Sequence, residues 1–493
     1  MLYTRPAMRI TLDPPGPDWP SPATPATAPT TAPATATASG DGATLASIVA
    51  GHAERLGTAE LPAGGAIIAT GHQAWLWHCG ILAKDMAMVA ACRLHGAAPL
   101  HLVVDQDAHE TLGLLLPEVE GKRLGVRRER LAATRADVPT GFQGPAEAGA
   151  LAERVEALDR PELARLREAV TGVGTMRTLA EQVTVILSRL WGGHVGALPV
   201  LFVSDLPRLA GYRALLGALL HDARAAAEAY NRAVAAVPEA GLTALRLEPD
   251  RVELPLWWVR WGQPRQRVFA DLADTRPIFT DEAGEVVEPG EAGELLPRAL
   301  LLTAFMRSAV CGMFIHGVGG GLYDRATEHW WRAWRGEALA PAVVATADVH
   351  LELPGVPMAD GEAVARARWR VHHAPHNVDR LLKLDDALTR EKRRVLGGVL
   401  APAARGATSR LQRRLAFAHL HLINARLASA HGQVVDAARA ELGRARVGLA
   451  NAAVARRRDW PFFLYGEQVL AELGRGVEAA LAGVAAIPDR PLP

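Results

Sequence analysis

Short apolar runs alternate with helically spaced stretches along most of this chain, the pattern of a parallel sheet with crossover helices. Ala66–Thr70 reads as a buried strand, Gly71 as a turn, the next stretch as an amphipathic helix and Pro99–Asp105 as a second buried strand. Together they make a βαβ unit. Met176–Trp191 carries Leu179, Val183, Ile186, Leu187 and Leu190 at helical spacing and feeds a strand over Leu198–Ser204, with Asp205 and Arg208 beyond its end. One long Ala-rich helix is predicted over Leu209–Ala236. The pattern then changes to a hairpin over Leu245–Leu272, inserted into the α/β frame. A helix at Leu296–Arg307, a strand at Gly312–His316, a glycine loop at Gly317–Gly321, a helix at Tyr323–Arg335 and a strand at Val343–Leu353 complete the core.

From about Asp379 the spacing is helical nearly to the end. Leu411, Leu415, Ala418 and Leu422, and then Val435, Ala438, Leu442, Ala445, Leu449 and Ala452, step by three and four. That is coiled-coil spacing, and a loop near His431–Gln433 turns the two helices into an antiparallel arm. Between the first βαβ unit and the next helices, Val119–Leu131 is basic and reads as a solvated connection. Pro14–Gly40 is rich in Pro, Ala and Thr and has too little apolar bulk to offset its ordering entropy, so it is expected to be disordered. The predicted organisation is residues 1–42 disordered, 43–378 an α/β core, 379–473 the arm and 474–493 a tail.

Composition narrows the function. The 493 residues carry a formal net charge of +1, which argues against a bulk nucleic-acid binder. No apolar run reaches the length of a membrane span, and the N-terminus lacks the apolar core of a signal peptide. Three widely spaced cysteines support neither a disulfide framework nor a zinc motif. The expectation is a cytoplasmic protein with small-molecule substrates, no nucleic-acid partner and no membrane partner.

The polar residues with chemical potential lie beyond strand ends, where α/β sheets bind ligands. Thr70 ends the first strand, and Gly71, His72 and Gln73 follow it. Gly71 is read as a turn that lets the backbone approach a ligand; His72, His78 and Lys84 then face a phosphate or a developing oxyanion. The plainer reading makes both histidines ordinary helix-start residues. Asp105, Asp107, His109 and Glu110 follow the second strand and suit a general base or the orientation of an amine, against a helix-capping alternative. His316, Gly317, Gly319, Gly320, Gly321, Tyr323 and Asp324 read as an anion cradle without the spacing of a P-loop or a dinucleotide fingerprint. His372, His373 and His376 read as a surface loop broken by Pro375, and Trp330, Trp331 and Trp334 as a buried helix face. No metal site is assigned.

ATGHQAWLWHCGILAK followed by LHLVVDQDAHE resembles the opening of the BshC family, the cysteine ligases of bacillithiol biosynthesis. The order continues with TLAEQVTVILSRLWGGHVGALPVLFVSDLP, which resembles that family's helix and third strand. AFMRSAVCGMFIHGVGGGLYDRATEHW resembles its strand and glycine loop, and the heptads fall where it has a coiled-coil arm. The resemblance spans Ala66–Leu473. His72 stands where the family has Gln, VDQDAH replaces its acidic run, and the glycine loop lacks its Pro and Glu, so the chain reads as a divergent member.

The resemblance implies a Rossmann-like, nucleotidyltransferase-like parallel core and a homodimer through the arm. It implies a carbon–nitrogen ligase joining cysteine to a glucosaminyl-malate amine. Making an amide from a free carboxylate calls for activation, so ATP or ADP is the expected cofactor. In that picture Gly71, His72 and Gln73 lie at the substrate or nucleotide pocket, Asp105, Asp107 and His109 face them, and Gly317–Gly321 closes the site. Asp105 or Asp107 orients or deprotonates the amine, with His109 as the other base. Two alternatives stand beside it: a nucleotidyltransferase-like enzyme using His72 and His78, and a non-catalytic dimeric binding or scaffold protein.

Overall fold

Twelve strands can be followed in the computed structural model, which describes residues 8–13, 43–273, 276–351, 353–402, 406 and 408–485. They are β1 (Met8–Asp13), β2 (Ile67–Gln73), β3 (Ala98–Val104), β4 (Gly113–Glu120), β5 (Arg123–Arg130) and β6 (Val200–Phe202). After them come β7 (Arg251–Val259), β8 (Gln266–Asp271), β9 (Ile278–Thr280), β10 (Glu294–Pro297), β11 (Met313–His316) and β12 (Ala342–Val349). The chain divides into two compact units. One holds residues 1–115, 128–350 and 458–493, the other residues 116–127 and 351–457.

The first unit is α/β with a mixed sheet, ordered β1-β12-β11-β2-β3-β6. β12, β11, β2, β3 and β6 run parallel, and β1 pairs antiparallel with β12. The chain moves outward from β2 through β3 to β6, then returns to the other side of β2 for β11 and β12. The strand order therefore reverses between β2 and β11, and at such a switch the loops beyond the strand ends part to leave a crevice. Apolar side chains such as Ala69, Leu100, Leu102 and Leu201 on the central strands are buried, as strands covered on both faces require.

The segment expected to stay outside the fold contributes β1, so the folded part does not begin near Ala43. The Pro/Ala/Thr tract, at 14–40, lies outside the described residues. The expected tail is corrected as well: Glu467–Ala485 is a helix packed on β1 and on the helix Cys79–His95. That cover explains why Cys79–His95 is not amphipathic. It lies between the sheet and the last helix, and side chains around its whole circumference from Cys79 to Cys92 are buried.

Other boundaries shift for local reasons. The Ala-rich stretch is two helices, Ala210–His221 and Ala223–Ala236, broken at Asp222. The inserted hairpin β7–β8 gains β9 and β10 and becomes a four-stranded sheet. Val119–Leu131 is no bare connection, because β4 and β5 pair there. Trp330 and Trp331 are buried as read, with Trp334 stacked on Trp330 at 5.5 Å.

The second unit is helical, with Gly361–His373, Ala387–Gly397, Arg410–Ala430 and Gly432–Ala455. It starts at Leu351 and ends at Arg457, earlier at both ends than the predicted arm. Gly432–Ala455 packs mainly on Gly361–His373. Its buried Asn451 accepts the Leu124 N–H at 2.9 Å and donates to the carbonyls of Lys122 and Pro357. The heptad residues Leu411, Leu415 and Leu422 do not close a seam against the following helix. They are exposed, and Ile423 and Leu427 on the opposite face are buried instead. His372 and His373 end a helix and do not lie in a loop.

Candidate functional site

Most of the polar residues singled out above lie in the first unit at the C-terminal ends of β2, β3 and β11, and the structure gives them unequal freedom. Gly71 is a strand residue. A Cβ there would come within 2.6 Å of the Leu102 carbonyl oxygen and 2.8 Å of its Cβ, so glycine is required by the neighbouring strand and not by a turn. Thr70 is buried and donates to the Ile315 carbonyl at 2.7 Å, tying β2 to β11. Neither residue is left to touch a ligand through its side chain.

Lys84 is the buried cation of the site. Its Nζ donates to the Gly71 carbonyl at 2.6 Å, and burial pulls its pKa from 10.5 to about 8. An ammonium has three donors, and this bond uses one of them. A Cβ placed on Gly317 would sit 3.6 Å from Lys84 Cδ, so the lysine stem runs against the start of the helix Val318–Arg335.

The glycine run is not a loop. Gly317 is the N-cap, and Gly319, Gly320 and Gly321 form the first turn of that helix. Two of the glycines answer packing demands: a Cβ on Gly321 would strike Val344 Cγ2 at 2.2 Å, and one on Gly320 would strike the His316 ring at 2.5 Å. Gly319 faces open space. Gly317 supplies no side-chain cap, so the first-turn N–H groups, which have no intrahelical acceptor, are available to an anion.

Asp107 accepts from Gln73 Nε2 at 2.9 Å and pairs with Arg265 on β8's approach, whose guanidinium lies over the Trp257 ring. Arg265 was not legible as a site residue, because it comes from the inserted sheet. Tyr323 feels the charge of Asp324 and, more weakly, of Asp107; burial is the main cause that lifts its phenol to about 12, so it remains a donor. His72 and His109 flank the Trp75 indole, with ring centroids 5.2 and 5.1 Å away. Burial lowers the pKa of both, that of His72 well below 6.5 with Lys84 adding to the effect, so both are neutral imidazoles at pH 7.

Three expected site residues are committed elsewhere. Asp105 is buried and accepts from the Ser204 N–H at 3.0 Å and the Ser204 hydroxyl at 2.6 Å. Gly141 packs so closely on it that a Cβ would lie 2.2 Å from its Oδ2. Burial raises Asp105 to about 7, but its two oxygens already have partners. His78 caps the helix Cys79–His95 by accepting from the Gly80 N–H at 3.0 Å, and burial with Arg458 nearby lowers it to about 4. Asp324 pairs with the buried Arg307 at 2.6 Å. Burial would raise its pKa, but His316 and Arg307 outweigh that and hold it low. His316 Nε2 and Asp324 Oδ1 are 3.6 Å apart, beyond a hydrogen bond, and both are buried without a partner.

The structure thus brings together Lys84, the helix start at Gly317–Gly319, Tyr323, Gln73 and Asp107 with Arg265, around the switch between β2 and β11. Among the described residues, no group of three or more His, Cys, Asp or Glu side chains is arranged to hold a metal ion. No protein-family model matches the chain, and no curated protein matches it.

Proposed function

We propose that this chain is a divergent BshC-like ligase with a Rossmann-like core, joining cysteine or a related small amine or thiol to an acceptor such as glucosaminyl-malate with nucleotide activation. One observation carries this reading: Lys84 and the uncapped start of Val318–Arg335 meet at the switch point, where an anion gains both a buried cation and free N–H groups. The residues fit a phosphate or carboxylate, since Lys84 keeps spare donors and Gly319 leaves room for an oxygen to approach. ATP, when bound, would supply the leaving group that a free carboxylate lacks.

The chain's own residues would then divide the work. Lys84 and the N–H groups of Val318 and Gly319 hold the anionic group. Asp107, steadied by Gln73 and Arg265, orients the amine and takes its proton, while Tyr323 donates and His109 stands as the other base. Asp105 acts through Ser204 as a positioning residue. His78 serves as a cap, which disfavours the alternative built on a His72/His78 pair. A thermal-shift screen against ATP, ADP, cysteine, malate and glucosaminyl-malate, followed by product analysis, tests the proposal. Stabilisation by nucleotide and glucosaminyl-malate with ADP release supports it. Pyrophosphate release would indicate nucleotidyl transfer, and silence across the panel would favour the non-catalytic reading.

A further inference from the structure

The net charge of +1 hides a division within the chain. The second unit carries 22 Lys and Arg against 11 Asp and Glu, a formal charge of +11, which leaves −10 for the rest. No carboxylate occurs between Glu391 and Asp436, a stretch with eight Lys and Arg. The helix Arg410–Ala430 lies inside it.

Leu411, Leu415, Ala418 and Leu422 share one face of this helix, and the three leucines are 66%, 63% and 51% exposed. The opposite face, with Ile423 and Leu427, is buried in the unit's own small core, so the helix is fixed with its apolar stripe outward. Arg410, Arg414 and the exposed Phe417 border the stripe on one side and Arg426 on the other, by helical spacing. A groove lined by Leu400, Arg410, Arg413, Arg414 and His421 runs beside it.

An outward leucine stripe bordered by Arg410, Arg414 and Arg426, with Glu391 held beside it by His419 at 2.9 Å, has the composition of a helix lying in a bilayer interface. We propose that this face docks on an anionic lipid surface, its leucines entering the acyl boundary and its arginines meeting headgroup phosphates. A second copy placed helix to helix would set Arg410, Arg414 and Arg426 against their own counterparts, with Glu391, already held by His419, as the carboxylate beside the stripe among the described residues. A nucleic acid would use the arginines but leave the leucines, which have no flat face for a base, exposed. The contact is superficial, since no helix of the described residues is long and apolar enough to cross a membrane.

The experiment is co-sedimentation of the full chain with vesicles of phosphatidylcholine alone and of phosphatidylcholine with phosphatidylserine. Binding is expected only to the second and should weaken with salt. Arg410→Glu with Arg414→Glu and Arg426→Glu should cut partitioning by roughly a hundredfold or more. Leu411→Ser with Leu415→Ser should abolish it, and both variants should keep the wild-type melting temperature because the face is exposed. Equal binding to neutral vesicles, no vesicle binding, preference for duplex or single-stranded nucleic acid, or a mass that halves in the leucine variant would each overturn the proposal.

Discussion

Replacing Lys84 by Met separates a binding role from a structural one, because the two roles predict opposite changes in stability. The side chain is 3% exposed, and its pKa falls from 10.5 to about 8 because burial disfavours the ammonium. That drop corresponds to about 3 kcal/mol of instability carried by the folded state at pH 7. The Nζ bond to the Gly71 carbonyl returns about 1.5–3 kcal/mol, the range for a hydrogen bond involving a charged group. Methionine fills a similar volume without charge, so Lys84→Met should leave stability unchanged or raise it by about 1–2 kcal/mol. The sign with pH follows from the lowered pKa. Between about pH 8 and 10.5 the unfolded chain holds a proton that the folded chain has released. Wild-type stability therefore rises relative to the variant across that window and levels off above it. Urea unfolding from pH 7 to 10.5 measures this, and thermal shifts with ATP, ADP and pyrophosphate measure the function. The expected result is a stable variant that no longer responds to any of the three. A variant that unfolds far more easily, or one whose nucleotide response is intact, would refute the assignment of Lys84 as an anion ligand.

Asp105 gives the converse titration: its pKa rises from 3.8 to about 7, so stability contributed by its proton is present at low pH and is lost as pH climbs through that window, by up to about 4 kcal/mol. Asp105→Asn should flatten this dependence between about pH 4 and 7 in urea unfolding. The glycine run should divide by packing. Gly321→Ala should cost about 1–3 kcal/mol through collision with Val344. Gly319→Ala, facing open space, should gain up to about 1 kcal/mol of helix stability while weakening the nucleotide response.

The alternation of strand and helix was legible because it depends on local periodicity, and β2, β3 and β11 lie within a few residues of their predicted places. The failures came where a distant neighbour decides. Gly71 looked like a turn because glycine after an apolar run usually is one, yet β3 continues beside β2 as far as Val104 and Leu102 occupies the space of its missing side chain. Gly320 and Gly321 looked like a loop for the same reason; His316 and Val344 fill the space beside them. The helix Cys79–His95 seemed to need a solvent face because its cover, Glu467–Ala485, lies at the far end of the chain. Arg265 and Ser204 carried no signal, since an arginine in a hairpin and a serine after a strand are common in any fold.

What separates a ligand-facing residue from a supporting one here is accessibility and unused bonding capacity rather than residue type. Asp105 and Asp107 are the same residue two positions apart, and sequence treats them alike. Asp105 has both oxygens engaged by Ser204 and a glycine sealing it in, so a substrate proton has no path to it. Asp107 also has both oxygens bonded, one to Gln73 and one to Arg265, but it is half-buried, so these partners fix its direction while leaving it reachable. The same test ranks the basic groups: His78 has spent its Nδ1 on a helix cap, whereas Lys84 has used one donor of three. Unused donors therefore pick Lys84 and the start of Val318–Arg335, and accessibility picks Asp107, as the groups that can still do chemistry.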